Sequence, residues 1–353
     1  MQYPVQARNI LVVQLRQVGD VLLTTPAVNV LRAHYPQSRI SYLTETGPAA
    51  LLQGNPHLDR VVTRNRRNGL WQDVQLVRRL RAQRFDLVID FFCNPRSAWM
   101  SFLTGAPHRI AAYHAGRTWW YSYAPRIDSK KGYAAAHNLA LLRKIGVKGV
   151  LSPPVIRISA EAQHDIDNFL IRSGLSRQQM ETRPVITIDV TSRRQAKRWV
   201  PERYVQVADR LVERWNAAVI FIWGPGERDT VGELLRQGRQ KHLLACPTDL
   251  MQLSALIASS VLHIGNCSAP RHVAVAVGTP SLTIMGPTSP ESWTYPDPKH
   301  RVARGEVPCL ECQKTECKTH ECMQTLTVGK VTAIAEEMLR HYAGRTFRFD
   351  NST

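Results

Sequence analysis

The sequence has no apolar run near the ~20 residues that a membrane-spanning helix requires. Its longest runs, Asp86 to Phe92 and Ala217 to Trp223, are strand-length. A transmembrane protein is therefore not expected. Met1 to Asn9 lacks an apolar core followed by a small-residue cleavage site, and Ile10 to Leu15 already reads as a buried strand. The expectation is a cytoplasmic protein. No G-x-G-x-x-G occurs, which argues against dinucleotide-dehydrogenase chemistry. Short repeats and low-complexity tracts are missing. So are the aromatic-basic sheet signature of an RNA module and any recognition-helix motif, so nucleic acid is not the expected partner.

Acids are scarce. Lys and Arg outnumber Asp and Glu 46 to 28, a formal net charge of +18. Such a bias attracts polyanions, and an anionic membrane surface or a phosphorylated glycolipid would fit it. It is concentrated between Arg60 and Arg84, where Arg60, Arg64, Arg66, Arg67, Arg78, Arg79, Arg81 and Arg84 face a single acid, Asp73. This stretch is either an anion-binding patch or a solvated helix face with basic loops.

A chain of 353 residues exceeds what one core usually organises, and two domains are expected. The first half alternates strand Ile10 to Leu15, helix Asp20 to Tyr35, strand Ile40 to Leu43, helix Gly69 to Gln83 and strand Asp86 to Phe92. A helix from Ala134 to Ile145 closes it before Pro153-Pro154. After helix Ala160 to Ser173 the alternation restarts: strand Val185 to Val190, helix Pro201 to Trp215, strand Ala218 to Trp223 and helix Glu227 to Arg236. Helix Leu250 to Ala258, strand Val261 to Ile264, a short helix at Arg271 to Val277 and strand Ser281 to Met285 follow. This pattern predicts α/β architecture: two doubly wound Rossmann-like domains, residues 1–152 and 153–330, with a C-terminal helix and tail over 331–353.

Ligands of such sheets sit beyond the carboxyl ends of the strands. The informative loops should follow Leu15, Val190, Trp223, Ile264 and Met285. Gly19-Asp20 follows the first strand; the glycine permits close approach or a positive φ, and the acid is either a helix cap or a functional carboxylate. Thr191-Ser192-Arg193 and Lys197-Arg198-Trp199, just before Pro201, bring hydroxyls, a lysine and a helix start together where a diphosphate would be stabilised. Gly224-Pro225-Gly226-Glu227 makes a tight turn that offers a carboxylate to a ribose or base. Gly265 to His272 opens another helix and presents backbone N–H groups to an anion.

Gly19-Asp20, Lys197-Arg198-Trp199, Asn266 to His272 with Gly278-Thr279-Pro280 after it, and Gly286-Pro287-Thr288 together resemble glycosyltransferase family 9, the lipopolysaccharide heptosyltransferases. The likeness runs from about residue 8 to about 340, and the order and spacing of the pieces carry it. It implies a GT-B fold whose domains face each other across a cleft. It also implies inverting transfer from ADP-heptose, or a related nucleotide sugar, to an anionic lipopolysaccharide inner core at the cytoplasmic face of the inner membrane. By the same resemblance Asp20 is the general base, Lys197 contacts the donor phosphate, and His272 lies beside the diphosphate. No cofactor is required. The expected donor set is Gly19, Thr191, Ser192, Arg193, Gly224, Glu227, Asp249, Leu250, Asn266, Cys267, Ser268, Ala269 and His272; the expected acceptor set is Arg64, Arg66, Arg67 and Arg117.

One departure stands out. The family usually reads Asp, then Ser or Thr, then Gly where this chain has Cys267-Ser268-Ala269. A charged hydrogen-bond acceptor worth ~1.5–3 kcal/mol per bond is lost. A relative that uses a different nucleotide sugar, or binds one without transfer, is therefore a rival reading; a basic nucleic-acid-binding module is a remote one.

Of the seven cysteines, Cys309, Cys312, Cys317 and Cys322 lie in one short stretch, with His320 between the last two. Four thiols so close suit a structural zinc or iron ion, but the spacing matches no standard ribbon, and reduced thiols or disulfides remain alternatives.

Overall fold

The computed structural model describes residues 6–67, 69–127 and 132–343. The chain divides into two compact units, Met1–Arg157 and Ile158–Thr353.

In the first unit the elements run β1 (Asn9–Val13), α1 (Val18–His34), β2 (Arg39–Glu45), α2 (Thr46–Ala49), β3 (Arg60–Arg64), α3 (Leu70–Ala82), β4 (Leu87–Asp90), α4 (Pro95–Leu103), β5 (His108–Ala111) and α5 (Ala134–Lys144). The five strands form one parallel sheet in the order β3-β2-β1-β4-β5. Its central strands, Ile10 to Val13 and Leu87 to Ile89, are apolar throughout and fully buried, as a sheet covered on both faces requires. One core packs α1 and α5 against one face, around Ile10, Val28, Leu31 and Leu142. The other face carries Leu11, Val13, Leu76, Leu80 and Met100.

The second unit continues with α6 (Ala160–Arg172), α7 (Arg177–Thr182), β6 (Val185–Asp189), α8 (Pro201–Trp215), β7 (Ala218–Ile222), α9 (Arg228–Leu235), β8 (Leu243–Leu244), α10 (Leu250–Ala258), β9 (Leu262–Asn266), α11 (Ala269–Ala276), β10 (Ser281–Ile284), α12 (Pro290–Trp293), β11 (His300–Ala303), α13 (Glu321–Gln324) and α14 (Val328–Tyr342). Its parallel sheet has the order β11-β10-β9-β6-β7-β8. Helix α8 shows how local sequence sets an element: Pro201 opens it with a pre-set φ, and Asn216 ends it in the left-handed region.

Several elements lie where the sequence reading had none. Arg60–Arg64 is an edge strand rather than the start of a solvated basic run, because Val61 and Val62 pack on the sheet while the flanking arginines mask the pattern. Helix α4 and the short strands β5 and β11 were also missed. The C-terminal helix begins at Val328, and Val331, Ala335, Met338 and Leu339 bury one of its faces in the core of the second unit. The predicted tail beyond it, 344–353, lies outside the described residues. Among the described residues no helix is long and apolar enough to cross a membrane.

Candidate active site

In a doubly wound sheet the ligand crevice opens where the strand order reverses. In the second unit that point lies between β6 and β9, which pair with Asp189 opposite Gly265. Gly265 keeps that contact close, since a Cβ would come within 3.0 Å of the Asp189 Cβ and 3.1 Å of its carbonyl. Asp189, at the carboxyl end of β6, is buried and ties the two following loops together. It accepts hydrogen bonds from the Thr191 N–H and hydroxyl, both at 3.1 Å, and from the Ser268 hydroxyl at 2.5 Å. Burial pushes its carboxyl up to about 6 even against those hydrogen bonds.

Asn266 performs the same service from β9. Its Oδ1 accepts from the Trp199 N–H at 3.0 Å and the Tyr204 hydroxyl at 2.9 Å, and its Nδ2 donates to the Thr191 carbonyl at 3.3 Å. Trp199 is itself fully buried, with its indole N–H on the Leu326 carbonyl at 3.1 Å. Asn266 and Trp199 thus brace the loop that presents Lys197.

The half-buried Lys197 places its Nζ 3.5 Å from the Cys267 carbonyl, 3.7 Å from the Cys267 Sγ and 5.8 Å from the centre of the Trp293 ring. Arg271, on the first turn of α11, is 2 % exposed and directs Nη1 to the same sulfur at 3.6 Å. It also donates to the Trp293 carbonyl, while its Nε has no partner. Among the described residues no carboxylate pairs with Lys197 or Arg271. Burial lowers the Lys197 ammonium below its usual range, with Arg194 and Arg271 adding to the effect. His272 is buried beside them with Nδ1 unpartnered, and burial plus the two cations hold its ring neutral. Ser268 precedes α11 as its N-cap and Ala269 is its first residue, so this cationic group sits on a helix N-terminus.

Other residues of the expected donor set have structural duties. Glu227 accepts the Gly224 N–H at 2.8 Å and closes the tight turn. Asp249 caps α10, accepting from the N–H groups of Met251 and Gln252 at 2.8 Å, with Leu250 as the first helical residue. The buried Ser192 uses its carbonyl to accept from Arg198 Nε at 2.6 Å, and Arg193 is exposed.

In the first unit the order reverses between β1 and β4. Asp20 lies half-buried in the first turn of α1, and its Oδ2 accepts the Gln17 N–H at 3.1 Å in a capping box. Gly19 is an ordinary helical residue with no positive φ. A recess of about 350 Å³ opens at this edge, between the end of β4 at Asp90 and His137 and Asn138 of α5. Asn138 ties α5 to α1 through the Leu23 carbonyl at 3.1 Å. Asp90 is the counterpart of Asp189: buried, raised by that burial, and holding its loop through Phe92 and Cys93 N–H groups at 3.0 and 2.9 Å and the Tyr121 hydroxyl at 2.7 Å. Sequence reasoning missed both, although each is an acid closing a buried strand.

The basic stretch separates into two kinds of arginine. Arg64 is fully buried and pairs with Asp73 through two 2.7 Å bonds, so it is spent on the core rather than on an acceptor. Arg66 and Arg67 are exposed, and Arg117 is half-buried with Nη1 on the Cys93 carbonyl at 2.5 Å.

The cysteine-rich segment brings Cys309, Cys312 and Cys317 close enough to Cys322 to raise its thiol, after burial, by their charge. Among the described residues no three His, Cys, Asp or Glu side chains are placed to hold a metal ion. Cys322 packs into the core against Gly286, where a Cβ would come within 2.5 Å of its sulfur, while Cys309 and Cys312 are exposed. Cys317 Sγ accepts the His320 N–H at 3.4 Å. The segment straps the loops that carry Ala196-Lys197 and Gly286-Pro287. Ala196 N–H donates to the Thr315 carbonyl at 3.1 Å, His320 Nε2 meets the Ala196 carbonyl at 3.0 Å, and the N–H groups of Glu311 and Gln313 reach Gly286 and Pro287 at 2.9 and 2.7 Å.

Two parallel α/β sheets, with polar loops gathered at each switch point, give the chain the architecture of the GT-B class. The chain belongs to glycosyltransferase family 9 (heptosyltransferase), whose pattern matches residues 74–323, well over half of its length. It is therefore a glycosyltransferase. It is 28% identical over 295 residues to lipopolysaccharide heptosyltransferase 3 of Escherichia coli (strain K12), covering 79% of this chain and 83% of that protein. The fold is that of the glycosyl transferase family 9 structure from Veillonella parvula, with a TM-score of 0.83, 24% identity, and coverage of 95% and 97% of the two chains. E. coli ADP-heptose lps heptosyltransferase II superposes with a TM-score of 0.78 at 22% identity, covering 94% of this chain and 99% of that one.

Proposed function

We propose that this enzyme transfers a heptose from ADP-heptose to the inner core of lipopolysaccharide with inversion, in one displacement. The observation that carries the reading is the pair Lys197 and Arg271 at the second sheet's switch point, two cations without a carboxylate partner among the described residues. A buried guanidinium without a counterion is costly, and a diphosphate would supply two or more negative charges at that place. The names of the relatives support the choice of sugar and acceptor. In this reading the second unit holds the donor, and Lys197 with the α11 N-terminus stabilises departing ADP by fixed charge rather than by a required metal. The first unit supplies Asp20, which takes the acceptor hydroxyl's proton as its oxygen attacks the anomeric carbon, and Arg66, Arg67 and Arg117, which hold acceptor anions.

Contact with the cytoplasmic face of the inner membrane belongs to the same proposal. Leu70 and Trp71 at the start of α3 are 83% and 63% exposed, and Arg66, Arg67 and Arg78 surround them in sequence, with the Arg78 guanidinium 5.9 Å from the Trp71 ring centre. Apolar anchors among arginines suit an anionic lipid surface.

Cys267 favours one second reading, a different nucleotide sugar, because the family's acidic donor contact is replaced. Incubating the enzyme with ADP-heptose, other nucleotide sugars and a core acceptor, followed by mass spectrometry of the products, separates the two. A heptose mass increment supports the first reading; an increment from another sugar alone supports the second, and none from any donor would refute transfer.

A further inference from the structure

The two cations at the donor site share a neighbour that the proposed mechanism does not use. Cys267 is 5% exposed, and its sulfur lies 3.6 Å from Arg271 Nη1 and 3.7 Å from Lys197 Nζ. Arg271 is more deeply buried still, and its Nε has no partner. Among the described residues the other charged and titratable groups around this point are Arg194, which faces Lys197, and the buried His272, His263 and His300, all three histidines held toward the neutral form by burial, with Arg271 adding to it; Asp189 is engaged by Ser268 and Thr191. A buried arginine without a carboxylate needs a negative charge from somewhere, and Cys267 is the one ionisable acid in contact with it among the described residues.

We infer that Cys267 is a thiolate in the ligand-free enzyme, serving as counterion to Lys197 and Arg271, and that it takes up a proton when a nucleotide diphosphate replaces it as the partner of those cations. The inference rests on the donor site proposed above. Burial by itself would raise the thiol, but Arg271 and Lys197 more than offset it and hold it below the ordinary thiol range, as cationic neighbours do elsewhere. An arriving diphosphate reverses both contributions: it engages the cations and adds negative charge beside the sulfur. The step is a plain protonation, with the proton taken from solvent and no bond to sulfur other than S–H formed or broken. It follows that ADP affinity should fall as pH rises through the free enzyme's thiol midpoint, since binding consumes a proton in that window. The thiol is thus an acid whose charge depends on occupancy, where the family's carboxylate would stay charged throughout.

Two measurements on the full chain test this. Thiolate absorbance near 240 nm, titrated in wild type and in Cys267→Ser without ligand, should show a component with a midpoint below that of ordinary thiols that disappears in the variant; identical titrations would overturn the inference without touching the donor site. Calorimetry of ADP binding in two buffers of different ionisation enthalpy should then show uptake of a sizeable fraction of one proton per ADP in wild type, and close to none in Cys267→Ser. Equal uptake in both would assign the proton to another group, His272 for example, and refute the role of Cys267. Failure of ADP to bind wild type would overturn the donor site and this inference together.

Discussion

Asp20→Asn and Asp20→Ala separate two roles that one carboxylate could hold. The side chain accepts the Gln17 N–H at 3.1 Å, half of the capping box that starts α1. An asparagine keeps an oxygen for that bond but is not a base; an alanine removes both. If Asp20 abstracts the acceptor's proton, Asp20→Asn should lower kcat by about 10²–10⁴-fold, equivalent to about 3–5 kcal/mol of barrier. ADP affinity should change little, because in the proposed function the cations that hold the diphosphate belong to the second unit. Stability should also stay close to wild type. Asp20→Ala should show the same kinetic loss and, in addition, about 1 kcal/mol of lost cap energy, a drop in Tm of about 2–4 °C if the first unit, Met1–Arg157, unfolds by itself. The assays are ADP release with ADP-heptose and a core acceptor, ADP calorimetry, and thermal unfolding. Asp20→Asn within a few-fold of wild-type kcat, beside a destabilised Asp20→Ala, would leave Asp20 a helix cap and no more.

Arg64→Ala should cost about 3–5 kcal/mol in urea unfolding, because it leaves the buried Asp73 carboxylate, among the described residues, with Arg96 at 3.7 Å as its one remaining cation; a loss below about 1 kcal/mol would show that the pair is dispensable. Asp189 gives a pH signature. Its carboxyl is raised in the folded state from 3.8 to about 6, so its contribution to stability is complete below about pH 4 and is lost as pH rises through about 6. The stability of Asp189→Asn relative to wild type should accordingly improve by up to about 3 kcal/mol between pH 4 and 7, and a constant difference would contradict the assignment. The double variant Leu70→Ser with Trp71→Ser should sediment with phosphatidylglycerol vesicles at least tenfold more weakly than wild type, each buried apolar side chain being worth about 1.5–3 kcal/mol, while turnover of a soluble acceptor is retained. Unchanged sedimentation would place the lipid contact elsewhere.

Much of the fold was legible because the buried strands are apolar and β-branched, and polar loops follow them. Periodicity has nothing to say about a single acid inside such a run. The predicted strand Asp86 to Phe92 ran through Asp90, and Asp189 passed as a strand residue. Their meaning comes from strand order, which places both at the points where the two sheets reverse and where the loops they hold must be fixed. Charge misled in the opposite direction. Arg64 counted toward a basic patch because composition does not distinguish a solvated guanidinium from a buried one, although its partner, Asp73, was the one acid in the stretch. The cysteine spacing left a structural metal, reduced thiols and disulfides open; what it could not convey is that Cys322 is a core residue and that the segment around it holds the Lys197 loop from outside.

Cys267 marks the limit of what a motif conveys. In the sequence it is a lost carboxylate, and the natural deduction is a weakened donor site. The structure surrounds the same sulfur with an ammonium and a buried guanidinium, which favour its thiolate, and on the inference drawn above the thiol is ionised. The departure from the family pattern then exchanges one anion for another rather than removing it. The charge balance of the site is preserved when it is empty, and the difference between the two residues emerges only with nucleotide present, when a thiolate can discharge and a carboxylate near 4 cannot.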